Sequence, residues 1–484
     1  MNDSDTTTYR ATIGLEVHIQ LDTASKLFCG CSTSFGAEPN THVCPVCLGY
    51  PGAMPCLNEE AVRLTVRMGM MVGSEISRYS KWDRKSYFYP DMPKNYQISQ
   101  YDRPLCVGGA VELGEGASAR TVRLVRIHLE EDVGKSMHFD TTSGVDFNRA
   151  GTPLMEVVTE PDMESPQEAY DFLQALKRIA SYAGVSQCNL EEGNLRCDVN
   201  CSVRPAGRER LGTKTEIKNM NTFRGVFAAL EHEIARQTDV LNSGAEVGQE
   251  TRRWDPDAGA TFPMRTKEEA HDYRYFPEPD LMPVVLAPEQ VDAWRATLPE
   301  APDARRRRLE SQYGLPAYDA GVLAGERALA DYFEAAAQAS DNPKAVSNWV
   351  MTEVLRTVAE SGCAVGELRV TPEALAGLVR LIDGKRINTT TAKEVFAILC
   401  AHGGDPAAIV EERGLAQVSD SGAIEALVEQ AMAEHPKSVS DFRSGKSAAA
   451  KFLVGQVMRL SRGKADPQLV ARLLDSKLSG EKEA

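Results

Sequence analysis

"IGLEVHIQL", residues 13 to 21, alternates without interruption: Ile13, Leu15, Val17, Ile19 and Leu21 fall on one face, and Gly14, Glu16, His18 and Gln20 on the other. A period of two is that of a half-buried β-strand. Its polar face sets a carboxylate beside an imidazole, where a solvated edge would ordinarily carry Thr, Lys or Ser. Other segments read the same way. In "VRLVRIHLE" (122–130), Val125, Ile127 and Leu129 oppose Arg126, His128 and Glu130, and Glu131 and Asp132 follow where the strand ends. "PLMEVVTEPD" places Glu156 inside an apolar strand pattern. "LRCDVNCSV" (195–203) alternates Leu195, Cys197, Val199, Cys201 and Val203 with Arg196, Asp198, Asn200 and Ser202, and "TKTEIKN" (213–219) puts Lys214, Glu216 and Lys218 on one face.

A charge in a half-buried sheet is costly unless it is paired or holds a metal. Several carboxylates gathered on one face repel one another unless cations sit among them. Hard carboxylate oxygens with few neutral ligands suit Mg²⁺, which keeps waters and bridges to phosphates. The pattern therefore reads as a metal–nucleotide platform, or as strands that simply show a polar face to water. No G-x-x-x-x-G-K-[ST] occurs, so a P-loop is not the means of holding ATP.

With 484 residues the chain is too long for one compact core, and two or three domains are expected. A net charge of −15 argues against a protein that coats nucleic acid non-specifically, though not against a locally basic surface. No apolar run approaches the roughly 18 residues needed to span a bilayer. The polar start "MNDSDTTTYR" has no apolar core of an export signal. Eleven cysteines spread through such a chain imply reduced thiols in the cytoplasm, with any cluster being a metal site.

Residues 1–295 read as strands mixed with a few helices. Helical patterns run over 58–73 after Asn58, 165–183 after Ser165-Pro166, and about 222–242. The proline-rich "FPEPDLMPVVLAPEQ" reads as the exit from this domain. Helical spacing then dominates a domain over 296–405 and a tail over 406–484. "RRRR" at 305–308 reads as a solvated helix face, with a specific anion site as the alternative.

"FCGCSTSFGAEPNTHVCPVCLG" offers Cys29 and Cys31, then Cys44 and Cys47: two close pairs that can supply a tetrahedral Cys₄ zinc site with no open position for catalysis. Ordinary reduced thiols are the alternative. The other seven cysteines are expected to fill the core. "KWDRKSYFYPDMPKNYQISQYDRP" (81–104) and "DYRYFPEPD" (272–280) interleave aromatics with cations, which can stack a base and hold phosphates or cover a sheet edge. From Lys437 to Lys477 nine basic residues (Lys437, Arg443, Lys446, Lys451, Arg459, Arg462, Lys464, Arg472, Lys477) face three acidic ones, which suggests a local phosphate-backbone contact or a solvated helix face.

Together, "IGLEVHIQL", "DRKSYFYPDMPKNYQISQ", "HLEEDVGKS", "DFNRAGTPLMEVVTEPD", "EEGNLRCDVN", "GTKTEIKNMN", "DYRYFPEPD" and "FLVGQVM" resemble the B subunits of the aspartyl/glutamyl-tRNA amidotransferases, over essentially the whole chain. The resemblance implies an α+β chain. An N-terminal antiparallel-sheet cradle similar to glutamine synthetase would be followed by an all-α domain and a small helical, tRNA-binding tail. It implies ATP and Mg²⁺, used to phosphorylate the side-chain carboxylate of Asp or Glu misacylated onto tRNA, the acyl phosphate then being displaced by ammonia. Carried onto matching positions, Glu16, His18, Glu130, Glu131, Glu156 and Asp198 would be the catalytic residues, the first five as magnesium ligands. Lys85, Lys214 and Arg274 would contact phosphate or the acyl adduct. The zinc cysteines occur in part of that family, and this chain keeps all four. No glutaminase signature is present here, so a separate amidase (glutaminase), the A subunit of such enzymes, should supply the ammonia, with a small C subunit completing a heterotrimer. A ligase acting on a small free acid shares the carboxylate platform but leaves the basic tail unexplained. A non-catalytic zinc-containing RNA-binding module explains the cysteines but not the carboxylates.

Overall fold

The computed structural model describes residues 8–114, 119–189, 192–264, 273–417, 421–444, 448–461 and 464–480. Asp272, Lys446 and Arg462 lie outside the described residues, as does the side chain of Arg443. Two compact units divide the chain, residues 1–302 and 303–484.

The first unit is built on a ten-stranded sheet. Strand Tyr9–Gln20, which contains the alternating stretch, lies at its middle. On one side come Pro153–Thr159, Arg120–Glu131, Cys106–Val107 and Glu75–Ile76, and on the other Leu195–Pro205, Thr215–Met220, Glu250–Asp255 and Ala260–Pro263. Ala110–Leu113 also pairs with Arg120–Glu131. Neighbours are antiparallel except Thr215–Met220 with Glu250–Asp255, so the expected antiparallel sheet contains one parallel pair.

Ile13, Leu15, Val17 and Ile19 are buried in one core with Leu64 and Met68, Phe172 and Leu176, and Val226 and Leu230. These come from helices Glu59–Met71, Pro166–Tyr182 and Phe223–Asn242, which begin where their caps dictate: the side chains of Asn58, Ser165 and Thr222 each accept a first-turn backbone N–H, and Pro166 follows Ser165. Covering the apolar face leaves the polar face for chemistry. One expected apolar residue falls out of phase. Val125 is exposed, because Val158 pairs with Arg126 while Thr159 pairs with Leu124, and Val125 is the extra residue of a bulge.

The proline-rich stretch is not an exit. Phe276–Pro277 pairs with Asp83–Ser86, which pairs with Tyr96–Ser99, and Val284–Val285 pairs with Tyr79–Ser80. Arg84 donates to both carboxylate oxygens of buried Glu278, at 2.6 and 2.9 Å, which pins the stretch to the unit. The two aromatic–basic loops thereby become one small sheet.

Every described element of the second unit is helical. One apolar cluster runs from Leu309 to Val410 and another from Ile424 to Leu478. Val410 on helix Pro406–Glu412 belongs to the earlier cluster, although 406 opens the expected tail. The arginine run is not a solvated face: Arg305 is buried against Glu334 and Asp331, and Arg308 also reaches Glu334, so helix Pro302–Tyr313 is clamped to helix Arg327–Gln338. In the tail Asp466 caps helix Pro467–Gly480. Lys477 is held by Glu425 and Glu429, while Lys437, Lys451, Arg459 and Arg472 are exposed. Among the described residues no helix is long and apolar enough to cross a membrane.

Candidate functional site

Strand register decides which polar side chains meet. His128 stands opposite Glu156, Glu156 opposite His18, and His18 opposite Arg196, a row across four strands; in the next row Glu16 stands opposite Asp198. His18 Nε2 is 3.3 Å from Glu156 Oε2 and 3.9 Å from Glu130 Oε1. His128 Nε2 is 3.4 Å from Glu156 Oε2 and 3.7 Å from Glu130 Oε2. One ligand atom from each of His18, Glu130 and Glu156 lies within 4.8 Å of the others.

Both carboxylates of this group are buried. Burial, the largest influence, pushes their carboxyls up, but His128 and Lys85 together at Glu130, and His128, His18 and Lys85 together at Glu156, hold both below the ordinary carboxylate value. Burial likewise pulls the His18 imidazole down, and its hydrogen bond to Glu156 and the charges of Glu156 and Glu130 more than reverse this. Glu16 is raised, first by burial and then by Glu156, although Asn200 Nδ2 donates to its Oε1 at 3.0 Å. Asp198 shares the Lys218 ammonium (2.6 Å) with Glu216 (3.0 Å). From the small sheet, Lys85 reaches over the Tyr273 ring, its Nζ 5.0 Å from the centroid. Burial would lower its ammonium, but Glu130, Tyr275 and Glu156 raise it. Two buried carboxylates and the His18 imidazole around one point could hold a hard divalent cation, and beside them His128 Nδ1 is buried without a hydrogen-bond partner.

Three expected residues stand apart. Glu131 follows Glu130 directly, so strand alternation sends it to the other face. There both its oxygens accept from Lys94 Nζ, and Oε1 also accepts from Ile98 N at 2.9 Å. It stands apart from the group formed by His18, Glu130 and Glu156. Lys214 is exposed, just before strand Thr215–Met220, and lines a cavity of about 980 Å³ with Gly14, Glu16, Asn200, Arg204 and Arg208. Arg274 is exposed, its guanidinium 5.9 Å from the Phe88 ring centroid. His128, Arg196, Lys94 and Lys218 carry no role in the sequence reading. Alternation could have marked His128, Arg196 and Lys218 as members of the polar face, but nothing local marks Lys94 as the partner of Glu131.

On that second face lies the cysteine cluster. One sulfur from each of Cys29, Cys31, Cys44 and Cys47 falls within 4.8 Å of the others. Cys44 N donates to Cys47 Sγ at 3.2 Å, and the ammonium of Lys26, fully buried, lies 3.6 Å from that sulfur and 3.2 Å from Phe147 O. A buried ammonium beside sulfur fits a thiolate, as a metal-bound cysteine must be. Gly151 passes between these groups with φ +86°, a left-handed conformation that favours glycine, although a Cβ there would make only ordinary contacts with Cys47, Lys26 and Glu131, at 3.5–3.8 Å. Of the remaining cysteines, Cys106, Cys188, Cys197 and Cys201 are buried as expected, but Cys56 is exposed and Cys363 and Cys400 are half-buried.

An α+β chain with a large sheet, buried histidine–carboxylate group and helical C-terminal region has the class of a catalytic component, and the GatB/GatE catalytic domain family matches residues 11–292 and the GatB domain family residues 331–478. The chain belongs to the family of B subunits of the aspartyl/glutamyl-tRNA(Asn/Gln) amidotransferases, ligases of protein biosynthesis. The B subunit of that enzyme from Thermoanaerobacter sp. (strain X514) is 52% identical over 97% of this chain and 99% of its own length. Those from Trichlorobacter lovleyi and Methylacidiphilum infernorum are 51% and 50% identical, over 98% and 97% of this chain and 100% and 99% of their own lengths.

Proposed function

We propose that the polar face around His18, Glu130 and Glu156 is where the side-chain carboxylate of misacylated Asp-tRNA(Asn), Glu-tRNA(Gln) or both is phosphorylated by ATP and then amidated. The observation that carries this is the meeting, on one sheet face, of buried carboxylates and imidazoles from three strands with Lys85 beside them. A carboxylate resists attack by ammonia because it is already anionic and would have to expel oxide. Its oxygen instead forms a bond to the γ-phosphorus as the bond to the β–γ bridging oxygen breaks, ADP leaving with that electron pair. Ammonia then adds to the acyl carbon, phosphate departs with the C–O pair, and a proton passes to solvent. His18, Glu130 and Glu156 would hold Mg²⁺, with Glu16 and Asp198 flanking; bound there, the ion supplies neutralising charge to the phosphates. Lys85 faces the same carboxylates and would orient the transferred phosphoryl group. Lys214 and Arg274 would act further out, on the nucleotide or the acyl end.

In this reading the sheet is a glutamine-synthetase-like cradle over about residues 1–295, followed by a helical domain and, from about 406, a tail whose exposed Lys437, Lys451, Arg459 and Arg472 meet the tRNA backbone. Cys29, Cys31, Cys44 and Cys47 hold structural Zn²⁺. Ammonia comes from a partner amidase, the A subunit, with a small C subunit in the same cytoplasmic heterotrimer. The deciding experiment assays ATP hydrolysis by the assembled enzyme. Hydrolysis only with misacylated tRNA is expected. Hydrolysis driven by free glutamate would favour the small-acid ligase, and none at all with every partner present would favour the RNA-binding module.

A further inference from the structure

We infer that Arg196, anchored by Asp132, is the guanidinium that grips the transferred phosphoryl group. This rests on the phosphoryl-transfer reading above and adds a residue to it. The polar face carries the carboxylates of Glu16, Glu130, Glu156 and Asp198, so a phosphate entering it needs cations that those groups have not already taken. Lys218 is taken, shared between Asp198 and Glu216. Lys85, over the Tyr273 ring and facing Glu130 and Glu156, already has its part at the phosphoryl group, whose charge is spread over three equatorial oxygens and calls for a second cation.

Arg196 is differently placed. Its strand position is directly opposite His18, in the row that holds Glu156 and His128. One nitrogen donates to Asp132 Oδ1 at 2.7 Å, and the side chain remains 37% exposed. The anchor itself is fixed. Asp132 is buried, its Oδ2 accepts from Gln20 Nε2 at 2.8 Å, its Oδ1 accepts from Val133 N at 2.8 Å, and Arg149 Nε stands 3.6 Å away. A guanidinium has five N–H donors in a rigid fork. Asp132 engages one end, which keeps the fork from collapsing onto Glu130 or Asp198 and leaves its other donors for the equatorial oxygens of a phosphoryl group. Charge placed there before reaction stabilises the transition state without reorganisation. A lysine would have to share one ammonium between the anchor and the phosphoryl group, as Lys218 does between Asp198 and Glu216, without the fork's separate ends.

The test uses the assembled enzyme. Arg196→Gln should lower kcat by about 100-fold or more. It should leave ADP affinity within about threefold and abolish the extra affinity that aluminium fluoride, a planar mimic of the phosphoryl in flight, confers on ADP in calorimetry. Arg196→Lys should recover little of either. Since Arg196→Gln removes one charged partner of a buried carboxylate, Arg196→Gln/Asp132→Asn supplies the folded control. It should regain thermal stability but not turnover or aluminium fluoride tightening. Turnover within about threefold of the parent, or tightening retained in that double variant, would overturn the role of Arg196. Glu156→Gln separates the two claims: if it too turns over normally, the site reading fails, and if it is dead while the double variant works, only the Arg196 inference fails.

Discussion

Because successive side chains of a strand take opposite faces, Glu130 joins His18 and Glu156 while its neighbour Glu131 is handed to Lys94 on the other side. The two glutamates should therefore fail differently. Glu156→Gln or Glu130→Gln should reduce ammonia-saturated turnover by about 100-fold or more with tRNA affinity little changed. Glu131→Gln leaves Lys94 buried without its counter-charge, so it should cost about 3 kcal/mol or more in stability, read by denaturant unfolding, while Mn²⁺ affinity stays at the parental value. A Glu131 variant with parental stability and weakened metal binding would contradict the assignment. Membership of the polar face was legible for Glu16, His18, Glu130, Glu156 and Asp198 from period two alone. Which of them touch was not, because register joins His18 to Glu156 across more than a hundred residues of chain, and the bulge at Val125 is invisible until Thr159 is seen opposite Leu124.

Individual elements depend on polar groups that a composition reading treats as surface. Helix Pro302–Tyr313 looks like a charged exterior, yet Arg305 and Arg308 close on Glu334 of the facing helix. Burial would raise the Glu334 carboxyl, but hydrogen bonds from Arg308 and Arg305 hold it below its ordinary 4.5. A depressed folded value means the unfolded chain takes up the proton first, so the contribution is complete above the unfolded pKa and is lost as pH falls through the folded one. Calorimetric melting of the helical unit should drop more steeply below about pH 5 in the parent than in Glu334→Gln, and equal slopes would count against the clamp. The cysteine knuckle was readable from spacing, because four thiol ligands in two close pairs need no distant partner. Lys26 was not readable, since its role exists only where Cys47 meets it. Cys44→Ser should lower zinc per chain by elemental analysis and lower the melting temperature; undiminished zinc would exclude the site.

At the scale of the whole chain, the change from mixed strands and helices to helices alone was legible in composition near 295, and the contact boundary falls at 302. The proline-rich stretch misled because proline marks turns and short edge strands alike, and Glu278 with Arg84 decides between them. The expected division at 406 falls at the start of helix Pro406–Glu412, whose Val410 packs in the preceding core, so a truncation meant to spare that core should begin after 417. Deleting 418–484 should weaken tRNA binding in a filter titration far more than it slows turnover at saturating tRNA, and unchanged affinity would remove the tail from recognition. Whether His18, Glu130 and Glu156 jointly hold the cation that serves ATP is decided by Mn²⁺ titration, read by electron paramagnetic resonance, of the assembled parent enzyme and of Glu156→Gln in the presence of ADP. Affinity weakened by about tenfold or more in the variant, together with lost turnover, is expected, whereas parental Mn²⁺ affinity in a folded Glu156→Gln enzyme would show that the cation is held elsewhere.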